Sequence, residues 1–196
     1  MSEHDTTPMW SPSEKRMETS NLVKFMTGLN ETYSLSLQSY ADVRDFALSD
    51  IDRFWSQAWD FFDVVGEKGD TILQDGDKMP GAQFFPEARL NFAENLLRHA
   101  DNGPAVIFRG EDKVSFEWTG IELKAQVSKL QQAFLRAGIK KGDRIAAIMP
   151  NMPQTLAAML AASSIGAIWS SCSPDFGING VLDRFGQIEP KVLFSA

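Results

Sequence analysis

From Gly138 to Ala196 the chain reads GIKKGDRIAAIMPNMPQTLAAMLAASSIGAIWSSCSPDFGINGVLDRFGQIEPKVLFSA, and this stretch decides the fold. Arg144 to Met149 is a short apolar β-type run, and Asn151 is placed to cap a helix running to about Ser164. Ala167 to Ser171 is a second strand, Gly180 to Gln187 a short helix, and Lys191 to Ser195 a third strand. Strands separated by single helices must run parallel, because a tight turn cannot return the chain in the same direction. The fold class is therefore α/β. The last strand, with no helix after it, is expected to be an apolar edge, as in the beginning of a larger sheet.

Upstream, Ala105 to Phe108 and Val114 to Trp118 form a hairpin around Arg109 to Lys113. Thr119 and Glu122 make a capping box, Leu123, Val127, Leu130 and Phe134 supply a buried stripe, and Gly138 ends that helix. Asp101-Asn102-Gly103-Pro104 breaks the chain. It suggests two regions, a helical one over 1–100 and the start of a mostly parallel sheet with helices over 101–196. In the first region Ser20, Ser39 with Asp42, and Asp50 mark helix starts. Ile51, Phe54, Trp55, Ala58, Trp59 and Phe62 follow at helical spacing, which favours core packing for the two tryptophans over a stacking platform. Pro86 to His99 returns to helical spacing through Leu90, Ala93, Leu96 and Leu97, with Arg98 and His99 suited to a helix C-terminus.

Composition excludes several classes. The chain has 196 residues, 43% of them hydrophobic, and a net charge of -7. An acidic balance argues against a nucleic-acid partner, and no apolar run reaches the ~18 residues of a membrane span. The start, MSEHDTTPMWSPSEKR, lacks a secretory pattern, so a cytoplasmic location is expected. Cys172 alone cannot form a disulfide framework, and His4 and His99 are too few and too distant in sequence for a metal centre.

Chemistry-bearing motifs are scarce. No phosphate-binding glycine loop, nucleophile elbow or zinc-binding helix motif occurs. Cys172 has no cationic neighbour in sequence and reads as an inert thiol. Gly138 to Arg144 reads as a helix end and tight turn rather than a phosphate cradle. Glu111 and Asp112 read as solvated turn residues, and Asp183 and Arg184 as local pairing or capping groups. Ser171 to Gly177 is the most suggestive segment by position, leaving a parallel strand at its carboxyl end and feeding a helix.

GIKKGDRIAAIMPN, SSIGAIW and KVLFSA, in this order, resemble the early part of the large domain of adenylate-forming acyl-CoA synthetases. PEARLNFAENLLRH is similar to the cap region of the acetyl-CoA synthetase branch. SSCSPDFGINGVLDRFGQIEPKVLF, Trp10 to Ser13 and the Phe54-Trp55 helix are most similar to its acetoacetate-activating members. The resemblance implies an incomplete adenylate-forming domain preceded by a cap. It implies a two-step ligase in which ATP and an acid give an acyl-adenylate, and coenzyme A then displaces AMP, with magnesium assisting the first step. The family's phosphate loop, acyl pocket and catalytic lysine lie further along a longer chain, so this stretch alone is expected to be inactive and to supply no catalytic or metal-binding residue. Ser173, Pro174 and Asp175 fall where the branch has Phe-Gly-Gly beside the coenzyme A nucleotide. The expected partners are a small-molecule acid and the remainder of the enzyme chain. Two other readings stay open: a non-catalytic interaction or nucleotide-binding module, and a ligase for another short acid such as acetate or propionate.

Overall fold

A computed structural model describes residues 8–111 and 113–196. His4 and Asp112 lie outside the described residues. The chain divides into two compact units, one up to Arg89 and one from Leu90 onward.

The first unit opens with α1 (Glu14–Glu18), α2 (Asn21–Tyr33), α3 (Tyr40–Ser49) and α4 (Ile51–Phe61). Each start follows from a polar side chain that satisfies an orphan amide. Ser20 accepts from the Val23 amide, Ser39 and Asp42 cap reciprocally, and Asp50 accepts from the Arg53 amide. Phe25, Leu29, Val43 and Ala58 form the buried centre, with Phe54 and Phe61 packed on it. The rings of Phe25 and Phe54 meet edge-to-face at 5.5 Å. The inner face of α4 is thus Phe54, Ala58 and Phe61, which corrects the stripe expected from sequence. Trp55 and Trp59 lie one residue further round the helix, about 100° away. They rest instead on Phe84 and Phe85, at 5.7 and 5.0 Å between ring centroids. Phe62 is exposed. Short strands β1 (Gly66–Glu67), β2 (Leu73–Gln74) and β3 (Gln83–Phe84) follow, with β2 and β3 antiparallel, and β4 (Arg89–Leu90) falls on the division between the units.

The second unit contains α5 (Phe92–Leu97), β5 (Pro104–Gly110), β6 (Val114–Thr119), α6 (Gly120–Arg136), β7 (Arg144–Ile148), α7 (Pro153–Ser164), β8 (Ile168–Cys172), α8 (Ile178–Gly186) and β9 (Val192–Ser195). The hairpin of β5 and β6 is an antiparallel sheet of its own. The other sheet is parallel in the order β8-β7-β9. Both β8 and β9 are therefore edges, and Leu193 of β9 is exposed. Side chains alternate across β7, and the two faces have different cores. Ile145 joins Leu123, Val127 and Phe134 of α6 and Leu160 of α7. Ala146 joins Cys172 and Phe185 of α8 on the opposite side. Helices on both faces explain why β7 is apolar throughout its middle.

Three helix starts differ from the sequence expectation. The helix expected from Pro86 to His99 is confined to α5, because Arg89 and Leu90 are extended and Asn91 is the cap. Asn91 accepts from the Glu94 amide through Oδ1 and donates from Nδ2 to the carbonyls of Ser163 and Ser164, each at 3.1 Å. One side chain therefore starts α5 and satisfies the end of α7. Asn91→Ala is expected to destabilise the second unit by about 0.5–2 kcal/mol in urea unfolding, the usual cost of a lost cap. Asn151 does not cap α7; Met152 holds that position without a side-chain bond, and Pro153 begins the helix with its fixed φ and missing N–H. α8 starts at Ile178, ahead of Gly180, with Gly177 as its cap. No helix among the described residues is long and apolar enough to cross a membrane.

Candidate functional site

The carboxyl ends of the three parallel strands finish level. Ile148 pairs with both Cys172 and Ser195, and the Met149 and Ala196 amides bond to the carbonyls of Cys172 and Ile148. Ligands of open α/β sheets bind at this rim, where loops leave the strands. Cys172 is the last residue of β8 and its thiol is buried against Ala146 and Phe185, so it faces the core.

The loop after it contains Ser173, Pro174 and Asp175. Ser173 Oγ donates to Asp175 Oδ2 at 2.9 Å and accepts from the Asp175 amide at 3.3 Å. The Phe176 amide closes the turn onto the Ser173 carbonyl at 3.2 Å. The three residues are thus brought together as one self-bonded turn at the mouth of the rim. Gly177 then starts α8 with no side-chain cap, and Ile178 beside it is 79% exposed. The positive end of the helix dipole consequently faces solvent next to the loop.

Arg184 is placed differently from its sequence expectation. Its guanidinium lies over the Phe176 ring, 4.2 Å from the centroid, instead of capping or pairing locally. A helical side chain leans toward its own N-terminus, which carries Arg184 back along α8 to the loop. The two-turn spacing from Phe176 to Arg184 was the available signal. No composition rule singles it out.

The turn from Gly138 to Arg144 is tied up by its own chain, as expected of a helix end and tight turn. The Gly142 amide bonds to the Gly166 carbonyl, and the Lys140 amide donates to Asp143 Oδ2 at 2.8 Å. Lys191 reaches the other Asp143 oxygen at 2.7 Å. The Lys191 hydrogen bond, followed by the Lys140 amide, lowers the Asp143 pKa from its ordinary value. The sign follows directly: a carboxylate depressed in the folded state stabilises it above the unfolded value, and this contribution is lost as pH falls through the folded one. Asp143→Asn is expected to lower urea-unfolding stability at pH 7. Its gap from the parent should close below about pH 3.9, the ordinary Asp value.

Among the described residues, no group of three or more His, Cys, Asp or Glu is placed to hold a metal ion. His99 lies just past α5 and accepts from Arg98 Nε at 2.8 Å. Glu111 occupies the hairpin tip with positive φ, consistent with a turn role.

The acetyl-coenzyme A synthetase N-terminus family matches residues 40–96, and the AMP-binding enzyme family matches residues 92–196. Acetoacetyl-coenzyme A synthetase of Rhizobium meliloti (strain 1021) is 55% identical over 185 residues, covering 94% of this chain and 28% of that protein. Malonamoyl-CoA synthetase vrtB of Penicillium aethiopicum is 35% identical, covering 87% of this chain and 25% of that protein. The solved structure of acetoacetyl-CoA synthetase from Streptomyces lividans superposes with a TM-score of 0.88 at 36% identity, covering 96% of this chain and 30% of that one. The chain thus spans about 28% of the length of the first of these relatives. With residues 92–196 matched, more than half of its length, the chain belongs to the AMP-binding enzyme family.

Proposed function

We propose that this chain is the N-terminal part of an ATP-dependent acetoacetate–CoA ligase. The enzyme converts acetoacetate, ATP and coenzyme A to acetoacetyl-CoA, AMP and pyrophosphate through an acyl-adenylate. The observation that carries this reading is the 55% identity to the Rhizobium acetoacetyl-coenzyme A synthetase over 94% of the chain. In this reading residues 1–100 form the cap region and residues 101–196 the first part of the AMP-binding domain. The match of residues 40–96 to the acetyl-coenzyme A synthetase N-terminus supports the cap assignment.

Ser173, Pro174 and Asp175 lie beside the coenzyme A nucleotide in this proposal. Support comes from their place at the carboxyl rim and from the uncapped start of α8, where amides and the helix dipole favour an anion. The Asp175 carboxylate is turned onto Ser173, and the Arg184 guanidinium over Phe176 contributes positive charge to the neighbourhood. Magnesium, bound with the ATP phosphates, supplies neutralisation of their charge. Its protein ligands are not a cluster among the described residues. The remaining partners are the small acid and the rest of the enzyme chain. We place the enzyme in the cytoplasm, which the single unpaired thiol of Cys172 supports.

The malonamoyl-CoA relative favours a second reading, a ligase for another short acid. Steady-state AMP formation by the whole enzyme separates them. Acetoacetate should give the highest kcat/KM in a panel with acetate and propionate, and a preference for either competitor would establish the second reading.

A further inference from the structure

The sequence contains two Asn-Gly steps, Asn102–Gly103 and Asn179–Gly180, and the fold treats them differently. Asn102 is exposed in the irregular segment joining α5 to β5. Its neighbours are fixed: the Ile121 amide bonds to the Asp101 carbonyl at 3.0 Å, and the Gly120 amide to the Gly103 carbonyl at 3.1 Å. The Gly103 amide donates to Asp101 Oδ1 at 2.8 Å. A Cβ on residue 103 would meet that same oxygen at 3.0 Å, so glycine leaves the amide unobstructed. Asn179 is inside α8, where the Gly180 amide donates to the Gly177 carbonyl at 2.9 Å.

We infer that Asn102 is a site of spontaneous deamidation, with Asp101 as the proton acceptor, and that α8 protects Asn179. The Gly103 nitrogen attacks the Asn102 side-chain carbonyl carbon, forming a new C–N bond. Its proton passes to the Asp101 carboxylate and on to the departing amide nitrogen, which leaves as ammonia. Water then opens the resulting succinimide at one carbonyl or the other, giving aspartate or isoaspartate at position 102, with nothing oxidised or reduced. A positioned carboxylate in contact with the proton to be moved is the geometry of general-base catalysis. The same attack at Asn179 requires local unwinding of α8, because a helical amide is aimed at a preceding carbonyl. An isoaspartate adds a carbon to the main chain and would displace Gly103 from Gly120, loosening the start of α6.

The test is peptide mapping by mass spectrometry of the full 196-residue chain held at neutral pH, native and in urea. In the native chain position 102 should convert while Asn179 is retained, and in urea both should convert at comparable rates. An intact Asn102, native conversion of Asn179 at an equal rate, or an intact Asn179 in urea would overturn the proposal. Asp101→Ala should slow native conversion at 102 several-fold and leave the rate in urea unchanged. An unchanged or faster native rate removes Asp101 as the base. If Asp101→Ala also loses protection at Asn179, Gly103→Ala supplies the second test. It should slow conversion at 102 several-fold, and an unchanged rate refutes ring closure through that nitrogen.

Discussion

Acetoacetate-dependent AMP formation is expected to be absent from the 196-residue chain on its own and present in an enzyme extended to the length of its relatives. The chain covers 28% of the Rhizobium relative, so most of that protein's length has no counterpart in it. Adenylate formation requires preorganised donors and cations around a phosphorus centre that accumulates negative charge. In the loop after β8 the polar side chains are Ser173 and Asp175, and the Arg184 guanidinium beside them lies over an aromatic ring. Lys140 and Lys191 lie at the opposite, amino ends of the strands, where the Lys140 amide and the Lys191 ammonium both bond to Asp143. No described cluster holds a metal. Enzymes gain roughly a millionfold or more over the uncatalysed reaction, and such a gain is not obtained from one arginine. The expected result is therefore a rate equal to that of a heat-denatured control, measured as AMP released from ATP, acetoacetate and coenzyme A. Turnover above that control would show that the chain contains a complete adenylation centre and would refute the proposed division of labour.

Much of this architecture was legible because it depends on local rules. The Thr119 and Glu122 capping box, the end of α6 before Gly138 and the three parallel strands follow from residue type and spacing, and all form. What escaped the sequence depends on partners distant along the chain. Nothing near Asn91 indicates that its amide will satisfy the end of α7, and that contact confines α5 to Phe92–Leu97. Similarly, the inner face of α4 was displaced by one residue because α2 and α3 select Ala58 while Phe84 and Phe85 draw off the tryptophans. Periodicity shows that a helix has an apolar stripe. With aromatics on most of its circumference, α4 leaves the centre of that stripe to tertiary packing. The placement of the Ser173 to Asp175 loop between β8 and α8 was readable from the strand-to-helix passage after Cys172. The stacking of Arg184 on Phe176 depended on the rotamer of a long side chain, which composition does not determine.

Leu160→Ala is expected to cost about 2–5 kcal/mol of folding stability, the range for removing a leucine from a packed core. Leu160 is fully buried in α7 and belongs to the cluster containing Ile145 of β7 and Val127 of α6. Its neighbours Ala157, Ala161 and Ala162 are also buried, so α7 meets its surroundings mainly through small side chains. Small side chains allow close approach but leave few atoms able to move into a vacated volume. A cavity at 160 should therefore stay largely open, which favours the upper half of the range. The cost is large beside the 5–15 kcal/mol that stabilises a typical domain. Urea unfolding followed by far-ultraviolet circular dichroism gives the measurement, with Leu182→Ala as its control. Leu182 is in α8 and 66% exposed, so its truncation should change stability by about 0.5 kcal/mol or less. Equal effects of the two substitutions would mean that α7 does not form the buried layer over β7. The position of the strand rim, and with it the candidate site at Ser173 to Asp175, would then lose its structural basis.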